Sequence, residues 1–508
     1  MKSRIADAFY RHAALTPDKE AIICDGKAMT YGELADFVSR LSHLLLSCGV
    51  TYGDHIAIPM NNSIESVALF VSAADLGLCL VPLNASMPYE AVKAAMQAAD
   101  AKHLIARSSF LRDCARHGHR VTEGFTLCLD TDFEGAVPFS RIDEMPATRP
   151  DGPEVDGSET YILTLTSGST GSPKPIDLSQ NNKLDRIMAH QRVYAISEAD
   201  RILAATPLYH SLAERLVLMP LVLGATCLLL PRFTPQLWID CARSLKATFT
   251  IAVSAQLAQI LDVVKQRQIP PIASFRAIVS SSALLEQDVK LELTRLLPCE
   301  FHEMYGTSET STATSICFQQ EPSKRDSVGR AFDGTAIAIL DEEGRECPPY
   351  TVGEIAVASP LRCKGYYKLP ALMDEATTRG FFRTGDLGSV DADGYLYFAG
   401  RKKELIITGA VNVYPADIDT VVARMEGIAE CAAFSFPDHR LGEVVALAVV
   451  TKPGTEFQKR RIQTYCARHL ADFQQPHKIF RVDALPRNAM GKLRRNDILP
   501  LVREAAID

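Results

Sequence analysis

The sequence contains no Cys-x-x-Cys pair, although it holds 13 cysteines in 508 residues. Scattered thiols without that spacing argue against zinc fingers and against a disulfide framework, and an odd number of unpatterned thiols fits a reducing compartment. An excess of positive charge is also missing. Lys plus Arg number 54 against 61 for Asp plus Glu, a net charge of −7, so no general affinity for nucleic acid or acidic membrane is expected. The N-terminal stretch "MKSRIADAFYRHAALTPDKEA" lacks the apolar core of a signal peptide. The most apolar run, "LVLMPLVLGATCLLLP", holds Pro220 and Gly224. It is short for a bilayer span and predicts buried α/β packing instead. With neither leader nor transmembrane segment, the expected location is cytoplasmic. No internal repeat is visible, and the one low-complexity stretch is "TSGSTGSPKP".

What remains is an ordinary globular composition, 47% hydrophobic and 23% charged, at a length that suggests two or three domains with ample core. The first part alternates short apolar runs with amphipathic ones. "AIIC" reads as a strand closed by an Asp25-Gly26 turn. Thr30 and Glu33 form a capping box for a helix that runs to Gly49. "HIAIPM", "SIESVALFVSAADLG" and "LCLVPL" then read as strand, helix and strand, a rhythm of parallel sheets covered by helices. The same rhythm runs through "RILAATPL", "ATCLLLP", "ATFTIAV" and "FRAIVSS". From about Gly329 the pattern becomes strands and Gly-containing turns, a small β unit. After "GRKKELIITG" a compact α/β tail of about one hundred residues reads as a separate domain.

The stretch "TSGSTGSPKP" follows the strand "YILTL" and is followed by "IDLSQNNKLDRIMAH", read as a helix. Its glycines allow backbone N–H groups to turn toward an anion, and its hydroxyls and Lys174 add donors and charge. It is not a Walker A loop, because Ser172-Pro173-Lys174-Pro175 replaces the Gly-Lys-Ser/Thr order. Composition alone leaves a linker and a phosphate-gripping loop equally open.

Four further segments follow in order: "YGTSE" from Tyr305, "RTGDLG" from Arg383, "GRKKELI" from Gly400 and "PRNAMGKLRR" from Pro486. With the Ser/Thr/Gly loop, this set resembles the adenylate-forming superfamily: acyl- and aryl-CoA synthetases, peptide-synthetase adenylation domains and firefly-type luciferases. The resemblance spans nearly the whole chain, and five weak motifs in family order make a specific signal. It implies a large N-terminal domain, residues 1–402, of parallel and mixed sheets with covering helices and a small β unit. A small mobile α/β C-terminal domain, residues 403–508, would carry the catalytic lysine. The implied chemistry is activation of a carboxylic acid by ATP as acyl-AMP, then transfer to a thiol. CoA is the expected acceptor; a carrier protein bearing phosphopantetheine is the alternative.

Residue by residue, the resemblance implies the following. Lys492 bridges the substrate carboxylate and the α-phosphate. Glu309 and Thr166 serve Mg²⁺, which needs few protein oxygens beside phosphates and water. Thr166, Ser167, Gly168, Ser169, Thr170, Gly171 and Lys174 hold the departing phosphates. Asp386 and Arg401 take the ribose, and Tyr305, Gly306 and Thr307 flank the nucleotide. Lys403 is the hinge, and Gly409 lines the pantetheine channel. His210, in "PLYHSLAER", lies by the carboxylate. The segment "VSSSALLE" places Ser281, Ser282 and Ala283 along the acyl pocket.

Two features bear on the acid, His210, which matches the P-L-aromatic-His segment of acyl- and aryl-CoA synthetases, and the serines of "VSSSALLE"; a smaller departure lies in the phosphate loop. His210 stands where α-amino acid adenylation domains carry Asp, so a buried substrate ammonium would lack its partner. Glu214 lies nearby. Ser281 and Ser282 replace two glycines, which favours a small, aromatic or polar acid over a long chain. Pro175 stiffens the exit of the phosphate loop.

Overall fold

The computed structural model describes residues 4–116, 122–167, 173–285, 287–408, 411–488 and 492–504. Packing divides the chain into two compact units. One comprises Met1–Pro322, Phe332–Thr335 and Ala358–Thr377; the other comprises Ser323–Ala331, Ala336–Val357 and Thr378–Asp508. The second unit thus joins the small β layer to the C-terminal tail. The sequence reading instead divides the chain into residues 1–402 and 403–508, with the small β unit in the N-terminal part.

The first unit contains two sheets. In one, Ala277–Ser281 lies between Phe249–Val253 and Glu300–Thr307, all three parallel. Arg201–Ala204, Thr226–Leu229 and Glu20–Cys24 extend the same parallel order. In the other, His55–Met60 is parallel to both Cys79–Asn84 and His103–Ala106, while Thr160–Ser167 pairs antiparallel with Pro173–Ser179. The sheets are therefore mixed at their ends and parallel within, as the alternating rhythm predicts.

Local chemistry explains the element ends. The Thr30 hydroxyl accepts from the Glu33 N–H, and the Glu33 carboxylate accepts from the Thr30 N–H, closing the expected capping box at Tyr31. Gly77 ends the helix Ile64–Leu76 with φ +66°, a conformation glycine adopts without strain. Pro173–Ser179, read as loop exit and helix, is instead a strand antiparallel to Thr160–Ser167, because it pairs back on the strand that enters the loop, and another strand escapes the sequence reading: Lys27–Thr30 folds back on Glu20–Cys24 across the Asp25-Gly26 turn. It is short and half polar, so periodicity gives no signal. The long apolar run resolves into the buried helix Ser211–Leu223, with Pro220 inside it, and the buried strand Thr226–Leu229. No helix among the described residues is long and apolar enough to cross a membrane.

In the second unit, Phe381–Val390 pairs antiparallel with Gly353–Ala358 on one side and Leu396–Arg401 on the other. The tail forms a further sheet in which Gly442–Thr451 is antiparallel to Ile428–Asp438 and parallel to Lys478–Arg481. Helices Pro415–Ala423 and Lys459–His469 help close its core around Ile418, Val422, Ile462 and Cys466.

Candidate functional site

Parallel strands deliver their C-terminal ends to one edge of the sheet, where α/β proteins place ligands. In the first unit that edge carries Ser281, which ends Ala277–Ser281, and Tyr305, Gly306 and Thr307, which end Glu300–Thr307. Thr307 and Thr310 tie the following turn together through reciprocal backbone and hydroxyl bonds. Gly306 is required here: a Cβ at this position would lie 1.9 Å from the Ser311 carbonyl oxygen.

The turn holds Glu309, whose backbone carbonyl accepts from the Cys363 N–H at 2.8 Å. The Arg186 guanidinium donates to the carbonyls of Ser308 and Glu309 at 3.1 and 3.3 Å. The Glu309 carboxylate accepts from the Tyr366 hydroxyl at 2.9 Å. Nζ of Lys174 lies 5.9 Å from the Tyr366 ring centroid. The structure thus brings together Glu309 and Lys174 from the expected set and adds Tyr366 between them. Burial and the Glu309 charge push the Tyr366 phenol up, so it stays a donor. A single partly exposed carboxylate suits Mg²⁺, which takes few protein oxygens. No group of three or more His, Cys, Asp or Glu side chains placed to hold a metal occurs among the described residues.

His210 occupies the cap position of the helix Ser211–Leu223. Its Nε2 is shielded from solvent and has no hydrogen-bond partner among the described residues. Burial lowers its pKa to about 4, so the ring is neutral near pH 7. Ser282 adopts φ +77°. A left-handed backbone costs a non-glycine residue about 1 kcal/mol, which is the physical reason the resembled pattern has glycine there. The Ser254 hydroxyl donates to the carbonyls of Ser281 and Ala283, pinning this segment.

In the second unit, Asp386 and Arg401 face each other across neighbouring antiparallel strands. Arg401 Nε lies 3.4 Å from Asp386 Oδ1, and Asp386 is 5% exposed. Lys492 lies in their field. Burial lowers its pKa, and the Arg401 charge lowers it further, partly offset by Asp386 and Glu404. The Lys492 N–H donates to Asn488 Oδ1 and the Lys492 carbonyl accepts from the Asn488 N–H, which fixes the backbone at the lysine. Asp386, Arg401 and Lys492 are thereby one cluster, although 91 residues of sequence separate the last two.

Lys403 is exposed in the short turn Lys402–Glu404, and both its neighbours are anchored. Lys402 Nζ lies 3.0 Å from Glu354, and Glu404 accepts from Arg495 at 3.1 Å. Glu354 also binds Arg383. Burial would raise its carboxyl, but the bonds from Arg383 and Lys402 outweigh that and hold it below the usual range.

Gly168, Ser169, Thr170, Gly171 and Gly409 lie outside the described residues, as do the side chains of Thr166 and Ser167. Sequence reasoning missed Tyr366, Arg186 and Glu354. Tyr366 sits in "KGYYKLP", in the short strand Gly365–Tyr366 that pairs with Pro173–Ser179; the adjacent aromatic pair is its only local signal. Arg186 and Glu354 carried no local signal, because their partners are distant in sequence.

The AMP-binding enzyme family matches residues 9–367, and the AMP-binding enzyme C-terminal domain matches residues 417–492. An indoleacetate–CoA ligase of Aromatoleum aromaticum is 29% identical over 500 residues, 97% of this chain and 97% of that protein. A sulfoacetate–CoA ligase of Cupriavidus necator is 30% identical over 501 residues, 96% of each. Among solved structures, o-succinylbenzoate–CoA synthetase (MenE) of Bacillus subtilis with its acyl-adenylate intermediate matches with a TM-score of 0.86. It is 26% identical and covers 97% of each chain.

Proposed function

The chain belongs to the AMP-binding enzyme family, and from that premise we propose that it is an ATP-dependent ligase joining a carboxylic acid to a thiol, with CoA as acceptor. The observation that carries the reading is the cluster of Lys492 with Asp386 and Arg401. A buried carboxylate beside an arginine suits the two hydroxyls of a ribose. A cation next to it is placed for the phosphate that the ribose carries.

In this reading Lys492 holds the acid carboxylate and the α-phosphate, two anions that repel each other, in line for attack. Asp386 and Arg401 fix the ribose, so the α-phosphate has one position relative to Lys492. Glu309, oriented by Tyr366, and Thr166 hold Mg²⁺, which supplies charge neutralisation at the phosphates. Lys174 and the loop from Ser167 to Gly171 take the departing pyrophosphate. Tyr305, Gly306 and Thr307 border the adenine and the acid. Neutral His210 offers a hydrogen bond to the acid without adding charge to the pocket, and Ser281, Ser282 and Ala283 shape its wall. Lys403 is the pivot for the thiol step, and Gly409 lines the path of the thiol arm.

The test is carboxylate-dependent pyrophosphate release, screened over a panel of acids, followed by transfer from the resulting acyl-AMP to CoA or to a holo carrier protein. Acid-dependent release with AMP formation, then acylation of CoA, is the expected result. Release of phosphate without AMP contradicts the reading, and acylation of the carrier alone reassigns the acceptor.

A further inference from the structure

The inference that follows rests on the ligase reading and concerns what holds Lys492 in place. The segment that carries Lys492 is tied at both ends to one strand, Ile428–Asp438. Before the lysine, Arg487 forms an ion pair with Glu430. After it, Arg495 Nη1 donates to the Ala433 carbonyl. Between the ties, Arg487 and Leu493 form an antiparallel bridge, and the Arg494 N–H donates to the Pro486 carbonyl at 2.8 Å.

The two ties differ in kind. Arg487 and Glu430 are both half-exposed, and such a pair contributes little. The Arg495 side chain is 10% exposed and serves three partners. Beside the Ala433 carbonyl, its Nε donates to Glu404 at 3.1 Å and its Nη2 to Asp419 at 2.8 Å. Asp419 stands on the helix Pro415–Ala423, and its other oxygen accepts from the Ala433 N–H at 2.5 Å. Ala433, buried in the core of the tail, is therefore gripped at both its N–H and its carbonyl. Burial would lower the Arg495 pKa, but the two carboxylates outweigh it, so the guanidinium stays charged. A planar fork held by three partners has one orientation, and it fixes the backbone three residues after Lys492.

Glu404 connects this tie to the reacting centre. It follows Lys403, and its charge acts on Lys492, opposing the lowering by burial and Arg401. By binding Glu404, Arg495 joins the turn Lys402–Glu404 to the lysine segment. Its neighbour Arg494 is 60% exposed and pairs with Asp497, three residues on.

We propose that Arg495 is a positioning residue for the first half-reaction. Bound to Glu404, Asp419 and Ala433, it sets where the Lys492 ammonium stands relative to Asp386 and Arg401.

The experiment follows the two half-reactions of the full-length protein by single-turnover quench. One is acyl-AMP formation with the best acid of the panel; the other is transfer from preformed acyl-AMP to CoA or the holo carrier protein, whichever the wild type uses. Arg495→Lys keeps the charge and loses the fork. It lowers acyl-AMP formation about 100-fold, the scale of a displacement of about 1 Å at a reacting centre, and transfer is largely retained. Arg494→Lys, the same change one residue away, leaves both steps as they are. Glu404→Gln, at a more exposed residue, shows the Arg495→Lys asymmetry at smaller amplitude and decides the matter where Arg495→Lys folds poorly. On a Lys492→Ala background, Arg495→Lys changes the residual adenylation no further, because the group it positions is gone. Equal losses in both half-reactions, or a further loss on that background, make Arg495 a structural tie and overturn the inference. Unchanged acyl-AMP formation overturns it too. All three outcomes leave the ligase reading standing. Failure of every acid to yield acyl-AMP with the wild-type protein overturns both.

Discussion

The Tyr366 hydroxyl donates a 2.9 Å hydrogen bond to the Glu309 carboxylate. The two residues are 57 positions apart, and the turn that carries Glu309 is itself pinned by Arg186 and the Cys363 N–H. A carboxylate held by one donor from behind keeps its other oxygen available and its plane fixed. Groups that orient a metal ligand in this way typically contribute 10- to 100-fold to affinity or activity. Tyr366→Phe should therefore raise the Mg²⁺ concentration for half-maximal pyrophosphate release about tenfold. The check is a Mg²⁺ titration at saturating ATP and acid. An unchanged midpoint would mean the bond does not orient Glu309 for metal.

Lys492 supplies a pH prediction. Its pKa is lowered by burial and by Arg401. The protonated form holds the two anions, so adenylation is supported below the folded pKa and lost as pH rises through it. The loss comes at lower pH than for an ordinary lysine, whose value is 10.5. The pH profile of kcat/KM for pyrophosphate release should show an alkaline limb below that value, and Lys492→Arg should move the limb out of range. Lys492→Ala should cut adenylation by at least about 10³-fold, since oriented charge at a reacting centre contributes on that order. Transfer from preformed acyl-AMP to the thiol should be largely retained. Adenylation that survives Lys492→Ala would remove the lysine from the mechanism.

His210 links the site to stability. Its folded pKa is about 4, against an ordinary 6.5. Between these values the unfolded chain binds a proton that the folded one does not, so folding weakens as pH falls through this window. Thermal unfolding from pH 7.5 to 4 should show a steeper fall in Tm for the wild type than for His210→Gln, once other titrating groups are common to both. Equal slopes would show that the ring is hydrated and free to charge.

The parts of this architecture legible in the sequence are those set by short-range rules. The capping box at Thr30, the glycine stop at Gly49 and the apolar strands each depend on neighbours within about four residues. Motif residues were legible through resemblance, and their clustering was not. Asp386 and Arg401 meet because two strands pair in one register, and Lys492 reaches their field from the tail. Arg186, Glu354 and the Lys183–Glu214 pair act through partners far along the chain, so no local pattern marks them. Ser281 and Ser282 show the intermediate case. The substitution was visible, while the left-handed backbone at Ser282 that makes it costly was not.

Gly306 gives the sharpest steric prediction. The Ser311 carbonyl oxygen occupies the space a Cβ would need, and both atoms belong to strands that must stay paired. Gly306→Ala should lower stability by at least about 3 kcal/mol, as overpacking against backbone does at its worst, and should displace Glu309. Chemical denaturation and Mg²⁺-dependent pyrophosphate release should fall together. A stable variant with normal Mg²⁺ dependence would mean the turn yields without cost.

The anchors beside Lys403 make the last prediction. Lys402 is tied to Glu354 and Glu404 to Arg495, so rotation at Lys403 must strain or break at least one ion pair. Lys402 is half-exposed, and a pair of that kind contributes on the order of 1 kcal/mol. Lys402→Met removes this anchor and leaves the Glu354–Arg383 pair in place. If the arrangement with Lys492 beside Asp386 serves adenylation, the variant should raise the rate of thiol transfer relative to adenylation about fivefold, the factor that 1 kcal/mol represents. Single-turnover quench of each half-reaction measures the ratio. Equal changes in both steps would make the Lys402–Glu354 pair a structural tie and leave the pivot at Lys403 without its latch.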